Sequence, residues 1–196
     1  MTFGSKIVPS PNDLCRNMLY SRMCTHQEVP PIYNYAEVTV RHANLGEVDI
    51  IKEIIVEAYA PIKKQLSRMP AALNEGLGKI ARHIQMGDQY VGLVGDTVVA
   101  TMRVRLVGRV GVVSRVAVRQ SFRGRRIGSM LVEYAENLMA HNNAQVMEVE
   151  IYGAVEMQID FYKKMGYQET GRMERLGEEI VVMQKSLVES DLELED

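Results

Sequence analysis

Val116-Ala117-Val118-Arg119-Gln120-Ser121-Phe122-Arg123-Gly124-Arg125-Arg126-Ile127-Gly128-Ser129 is the stretch whose reading decides the fold. It runs from the end of an apolar, β-branched strand through a glycine-bearing turn into the first turn of a helix. Glycine supplies positive φ and lets backbone approach a ligand closely. A helix start presents unpaired N–H groups and the positive end of the helix dipole. Together they make an anion site from backbone alone. Arg123, Arg125 and Arg126 add charged donors suited to phosphate.

Outward from this turn the pattern alternates between strands and helices. Downstream, Ile127, Met130, Leu131, Tyr134, Ala135, Leu138 and Met139 recur at helical spacing and predict a helix over residues 126–140. Residues 146–152 alternate as a strand, residues 155–165 read as a helix stopped at Gly166, and residues 167–170 and 179–187 read as closing strands. Upstream, residues 112–118 form a strand entered through a turn at Gly108 and Gly111, and residues 89–94 and 97–106 form a hairpin joined at Gly95-Asp96. A helix over residues 73–86 carries Leu77, Ile80 and Ile84 on one side. Before it, Asn44 and Glu47 resemble a capping box that opens a helix with Ile51, Ile54, Ile55, Ala58 and Tyr59 on one face. Residues 36–41 alternate as a first strand. This order predicts an α/β fold with a mixed sheet covered on both faces.

The 196 residues suit one domain, with a net charge of −2 that gives no global pull toward nucleic acid or anionic lipid. An interleaved aromatic and basic stripe for nucleic acid is lacking. No apolar run is long enough to span a bilayer, so no membrane partner is expected. Cys15 and Cys24, with His26 nearby, match no zinc or redox spacing. No metal is expected, and the scarcity of cysteine suits a reducing cytoplasm. Residues 1–35 hold Pro9, Pro11, Pro30 and Pro31 and read as an irregular N-terminal extension with one short helix around residues 13–22. Three roles stay open for it: packing on the core, mediating a homodimer, or covering an acceptor groove. Residues 188–196 read as an acidic, solvated tail.

The element order and the turn together resemble the GNAT superfamily of acyl-CoA-dependent N-acyltransferases. The family turn is written Q/R-x-x-G-x-G/A, and Arg123, Ile127 and Gly128 occupy matching positions. Arg126 stands where the first signature glycine is expected, with Gly124 two residues ahead of it. A second family motif, F-Y-x-x-x-G-F/Y, is similar to Phe161-Tyr162-Lys163-Lys164-Met165-Gly166-Tyr167. Residues 58–61 resemble the first-helix region of family members that act on small molecules. The resemblance covers residues 36–187.

It implies a mostly antiparallel sheet with splayed central strands and acetyl-CoA as cosubstrate. The coenzyme A pyrophosphate would lie on the amides of Arg123, Gly124, Arg125, Arg126, Ile127, Gly128 and Ser129. The pantetheine arm would pair with Val116, Ala117 and Val118, and Tyr162 would act as general acid toward the departing thiolate. Arg119 or Arg125 could meet the 3′-phosphate of coenzyme A. The asparagine often found seven residues before the tyrosine is replaced by Val155.

Acetyl transfer to an amine needs a neutral amine, donors for the oxyanion and an acid for the thiolate. The splayed strand end at residues 116–118 can supply the second and Tyr162 the third, though a tyrosine at this spacing is also a helix-to-sheet packing residue. The first has no clear owner. Val112, Val113 and Ser114 lie where family members often carry a glutamate. Glu148 and Glu150 share one strand face, where solvated glutamates are common, and His83 reads as a helix-surface residue. No Cys or Ser sits in a nucleophile motif, so the amine is expected to attack directly. The acceptor is a small-molecule amine or a peptide. A non-catalytic acyl-CoA-binding sensor or complex subunit is the rival from another class.

Overall fold

The computed structural model describes residues 38–188. The extension, its short helix, both cysteines, His26 and the acidic tail beyond Val188 lie outside the described residues. Seven strands form one sheet: β1 (Val38–His42), β2 (Gln89–Val94), β3 (Thr97–Val107), β4 (Val110–Val118), β5 (Val146–Tyr152), β6 (Gln168–Arg175) and β7 (Glu178–Ser186). Their order across the sheet is β1-β2-β3-β4-β5-β7-β6. Neighbours are antiparallel except β4 and β5, which run parallel. Four helices complete the fold: α1 (Val48–Tyr59), α2 (Leu77–Gln85), α3 (Ile127–His141) and α4 (Glu156–Lys164).

The helices divide between the two faces, as the alternation of apolar periods requires. Ile51, Ile54 and Ile55 of α1 and Ile80 of α2 bury against Val91, Leu93 and Ala117 on one face. Ile127, Leu131, Tyr134, Ala135 and Leu138 of α3 and Ile159 and Tyr162 of α4 bury against Met102, Val104, Val113, Met147 and Val149 on the other. Each fully buried aliphatic side chain contributes about 1.5–3 kcal/mol, so these two stripes hold the layers together.

Local departures from the sequence reading have local causes. The second helix begins at Leu77 rather than residue 73, because Gly76 is its N-cap and residues 70–75 form a turn with a buried carboxylate, Glu75. Leu77, expected on the buried side, sits in the first turn with 46% of its surface exposed. Gly111 belongs to β4, not to the turn before it. A Cβ there would meet Met147 Sδ at 2.5 Å and Met139 Cγ at 2.6 Å, so glycine lets α3 close on the strand without displacing either methionine. β6 runs on to Arg175 through an irregularity between Glu169 and Gly171, five residues past the expected end at residue 170.

The pairing is short at one seam of the sheet. β4 pairs with β5 only over Val110↔Val146, Gly111↔Met147 and Val112↔Glu148. Beyond that rung the two strands diverge, and the side of β4 that would pair with β5 is left open from Val113 to Val118.

Candidate active site

The divergence opens a cleft of about 1210 Å³. That exceeds the 300–1,000 Å³ usual for a single small ligand. One end of the cleft is the turn after β4. Val116, Ala117, Val118, Arg123, Gly124, Arg126, Ile127, Gly128 and Ser129 all line it. Gly124 has φ 77° with nothing within 4 Å of a built Cβ, and Arg126 has φ 61° as the left-handed N-cap of α3. The first backbone bond of α3 runs from the Met130 N–H to the Arg126 carbonyl at 3.0 Å, leaving the N–H groups of Ile127, Gly128 and Ser129 for a ligand. A cradle of backbone donors of the kind that suits an anion is therefore preformed. Arg126 explains its own irregularity: the position needs φ > 0, which glycine takes freely and arginine takes at a cost.

The arginines of the turn are not equivalent. Arg123 Nε donates to the Val118 carbonyl at 3.2 Å, pinning the turn to its strand. Arg125 lies over the Phe122 ring at 5.2 Å and does not line the cleft. Arg119 bonds to Glu53 at 3.1 Å and Glu57 at 3.3 Å, while the Gln120 N–H also donates to Glu57. The turn is thereby tied back to α1, and Arg119 is already neutralised. The Arg126 side chain lines the cleft with no hydrogen bond or ion pair to any described residue.

Mid-cleft, Tyr162 reaches in from α4. It is 6% exposed, and its ring stands edge-on to Phe161 and to Tyr167, with centroids 5.0 and 5.2 Å away. It is thus both a packing residue and a cleft residue. No described residue accepts from its hydroxyl. Burial pushes the phenol well above its ordinary value, so it is protonated at neutral pH. Tyr59 of α1 also lines the cleft, with its phenol raised by burial too.

The middle of β4 carries a second left-handed residue, Arg115, with φ 57°. It lies where the β3–β4 register shifts between Thr101↔Ala117 and Arg103↔Ser114. The bulge is held by Glu75, only 3% exposed, which accepts from Arg103 at 2.8 Å and from Arg115 at 2.9 Å. Gln89, fully buried, accepts from Arg103 twice at 3.1 Å and donates to Thr101 Oγ1 at 2.7 Å. Lys52 of α1 holds the same loop through the carbonyls of Leu73 and Glu75, at 2.8 and 2.7 Å. Burial alone would raise the Glu75 carboxyl; the bonds and charges of Arg115 and Arg103 outweigh it and hold the pKa below the ordinary range.

An acetyltransferase (GNAT) family profile matches residues 62–167, more than half of the chain. The chain belongs to the GNAT acetyltransferase family. The fold agrees. PaiA N-acetyltransferase from Thermoplasma acidophilum, solved with coenzyme A, superposes with a TM-score of 0.67 at 12% identity, over 76% of this chain and 98% of that one. The ribosomal-protein-S18-alanine N-acetyltransferase of Escherichia coli gives 0.65 at 13% identity, over 81% and 99%. YncA of Salmonella typhimurium, a putative acetyltransferase solved with acetyl-CoA, gives 0.62 at 16% identity, over 79% and 96%. No curated protein matches this chain.

In this GNAT chain the carboxylates considered as bases have partners. Glu150 takes both nitrogens of Arg175, at 2.5 and 2.8 Å, and Glu148 accepts from Gln184 Nε2 at 2.8 Å. Both line the cleft. His83 lines it as well, with Nδ1 3.1 Å from Asp88 and its pKa lowered by burial despite that bond. Glu75, Gln89 and Arg115 were not foreseen as site residues. The available signal was Arg103, a charge inside the apolar run of β3, which needs a buried partner. Among the described residues no group of three or more His, Cys, Asp or Glu could hold a metal, and no helix is long and apolar enough to cross a membrane.

Proposed function

We propose that this GNAT chain transfers an acetyl group from acetyl-CoA directly to a primary amine of a small molecule or peptide. The observation that carries the reading is the divergence of β4 from β5, which opens a cleft between the left-handed turn and Tyr162. The donor set fits coenzyme A: free helix-start amides, a glycine without a Cβ in the way, and the unpaired Arg126 suit a pyrophosphate. The open side of β4 at Val116–Val118 offers amide groups to a pantetheine arm.

The acceptor nitrogen forms a C–N bond with the thioester carbon, the C–S bond breaks, one proton leaves nitrogen and one ends on sulfur. Tyr162 serves the sulfur. Its raised pKa makes it a poorer acid than a thiol of ordinary pKa near 8.5, so outright transfer to the thiolate is uphill. Its contribution is a hydrogen bond that strengthens as charge develops on sulfur, with the nitrogen proton closing the balance.

Titration calorimetry with acetyl-CoA and thiol release over a panel of primary amines test the reading together. Binding with turnover on at least one amine is expected. Binding without thiol release on any amine would make the chain a non-catalytic acyl-CoA-binding subunit, and absence of binding would remove the acetyl-CoA reading.

A further inference from the structure

We infer that the acceptor is a primary amine that also carries an anionic group, its nitrogen held at Glu148 and its anion at Arg105 and Lys79. The inference rests on the acetyl-transfer reading above and concerns the cleft end away from the phosphate-type turn.

Strand register puts Arg105, Val112 and Glu148 in one row across the sheet: Arg105 pairs with Val112, and Val112 with Glu148. Their strand neighbours Val104, Val113, Met147 and Val149 point into the core beneath α3 and α4. The row therefore presents its own side chains to the opposite face, where all three line the cleft. Two strand spacings of about 4.8 Å set the Arg105 and Glu148 backbones about 10 Å apart, with the apolar Val112 between them. Val112↔Glu148 is also the last rung before the strands part, so Glu148 stands at the apex of the opening.

Most of the other charges at this end are already spent. Arg103 and Arg115 are bound to Glu75, Arg175 is bound to Glu150, and Glu178 accepts from the Ser67 hydroxyl and the Arg68 N–H. The side chains of Arg105 on β3, Lys79 on α2 and Arg68 in the loop before α2 line the cleft with no hydrogen bond or ion pair to any described residue. Glu148 has one neutral donor, and an ionised carboxylate accepts about four. The uncommitted charges at this end are thus the cations Arg105, Lys79 and Arg68 and one carboxylate, Glu148. A molecule with an amine at one end and a carboxylate or phosphate at the other complements both. A simple alkylamine satisfies only Glu148 and leaves the cations facing bare apolar substrate.

The test measures thiol release from acetyl-CoA with matched acceptors: glycinamide and ethylamine as amines without an anion, β-alanine with a carboxylate, and O-phosphoethanolamine with a phosphate. We expect kcat/KM at least about tenfold higher for one or both anionic amines, the worth of a charge-assisted contact. Arg105→Gln, an exposed position, should raise KM for the preferred anionic amine by about tenfold while the acetyl-CoA KM holds. Neutral amines that equal the anionic ones, or a preference that survives in Arg105→Gln and in Lys79→Ala, would overturn the inference and leave acetyl transfer standing. Absence of acetyl-CoA binding to the unaltered protein, read by calorimetry, would instead remove both.

Discussion

The two ends of the cleft hold charge in different ways. At the turn end, the donors come from one continuous piece of chain, residues 116–129, and most are backbone N–H groups. At the other end, the charges arrive on side chains from α2, β3, β4, β5, β6 and the loop before α2, and several are buried against each other. A backbone site tolerates side-chain change, because φ and ψ do the work. A convergent side-chain site does not, because its groups keep one another from standing as unpaired buried charges. The same molecule should therefore respond unequally to substitution at its two ends.

The largest expected effect lies between the ends, at Tyr162. Tyr162→Phe keeps the ring packed on Phe161 and Tyr167 and removes only the hydroxyl. Turnover should fall by about 10²–10³-fold, the range for removing one hydrogen-bond donor to developing charge, with the acetyl-CoA KM changing by only a few fold. Steady-state kinetics on the identified acceptor checks this; unchanged kcat would return Tyr162 to a packing role.

Glu75→Gln probes the convergent end. It removes the charge that holds Arg103 and Arg115 together and leaves two guanidiniums facing each other behind a neutral amide. A loss of about 3–5 kcal/mol of unfolding free energy is expected, read by chemical denaturation. Glu75→Gln and Arg115→Gln together should cost less than the sum of the two, since the second removes what the first left unpaired. Additive losses would mean that the buried cluster is not one unit.

Gly111→Ala acts at the junction, one rung before the strands part. The added methyl meets Met147 and Met139 inside normal contact distance. Flexible methionines can give way, so about 1–3 kcal/mol of destabilisation is expected, with the opening of β4 from β5 shifted as the core adjusts. A change in acetyl-CoA affinity alongside the change in Tm would tie the splay to ligand binding.

Acid should weaken the molecule in two stages. Burial lowers the pKa of His42 and His83, so the unfolded chain binds their protons more readily than the folded one, and stability falls as pH drops below about 6.5. Glu75 is held below the ordinary carboxylate range by its arginines, so its contribution is full above about pH 4.5 and is lost as pH falls through its folded pKa. A melting series from pH 8 to pH 3 checks both, and His42→Gln with His83→Gln should flatten the first stage alone.

What could be read from the sequence follows the same division. The turn end is local: strand, glycine, arginines and helix start lie within fourteen consecutive letters, and the amphipathic period of α3 fixes where its free amides point. The succession of strands and helices along the chain follows from equally local periods. Glu75 and Arg115 were illegible for the opposite reason. They are 40 residues apart, and only the β3–β4 bulge and the loop before α2 bring them within 2.9 Å. No period or spacing encodes such a meeting. Arg103 alone gave notice, as a charge that an apolar strand could not bury unaided. The turn arginines, read as a set, divided once long-range partners were present: Arg119 went to α1, Arg125 to Phe122, and Arg126 was left facing the cleft.

The smallest expected effect belongs to Arg126, where the backbone account of the turn end is most exposed to test. Its left-handed φ of 61° costs about 1–2 kcal/mol for a residue with a Cβ. Arg126→Gly removes that strain and at the same time loosens the unfolded chain by about 0.5–1 kcal/mol, so the net gain in stability should be no more than about 1.5 kcal/mol. Arg126→Ala keeps the strain and removes the same guanidinium. The pair therefore separates conformation from charge. Both variants should lose acetyl-CoA affinity by a similar factor, up to about tenfold, because both lose the free cation. Arg126→Gly should melt above Arg126→Ala, because only glycine takes the required φ without strain. Equal melting temperatures would mean that the N-cap of α3 is not held left-handed. A loss of affinity far beyond tenfold in both would mean that the side chain, not the backbone, does most of the holding at this end.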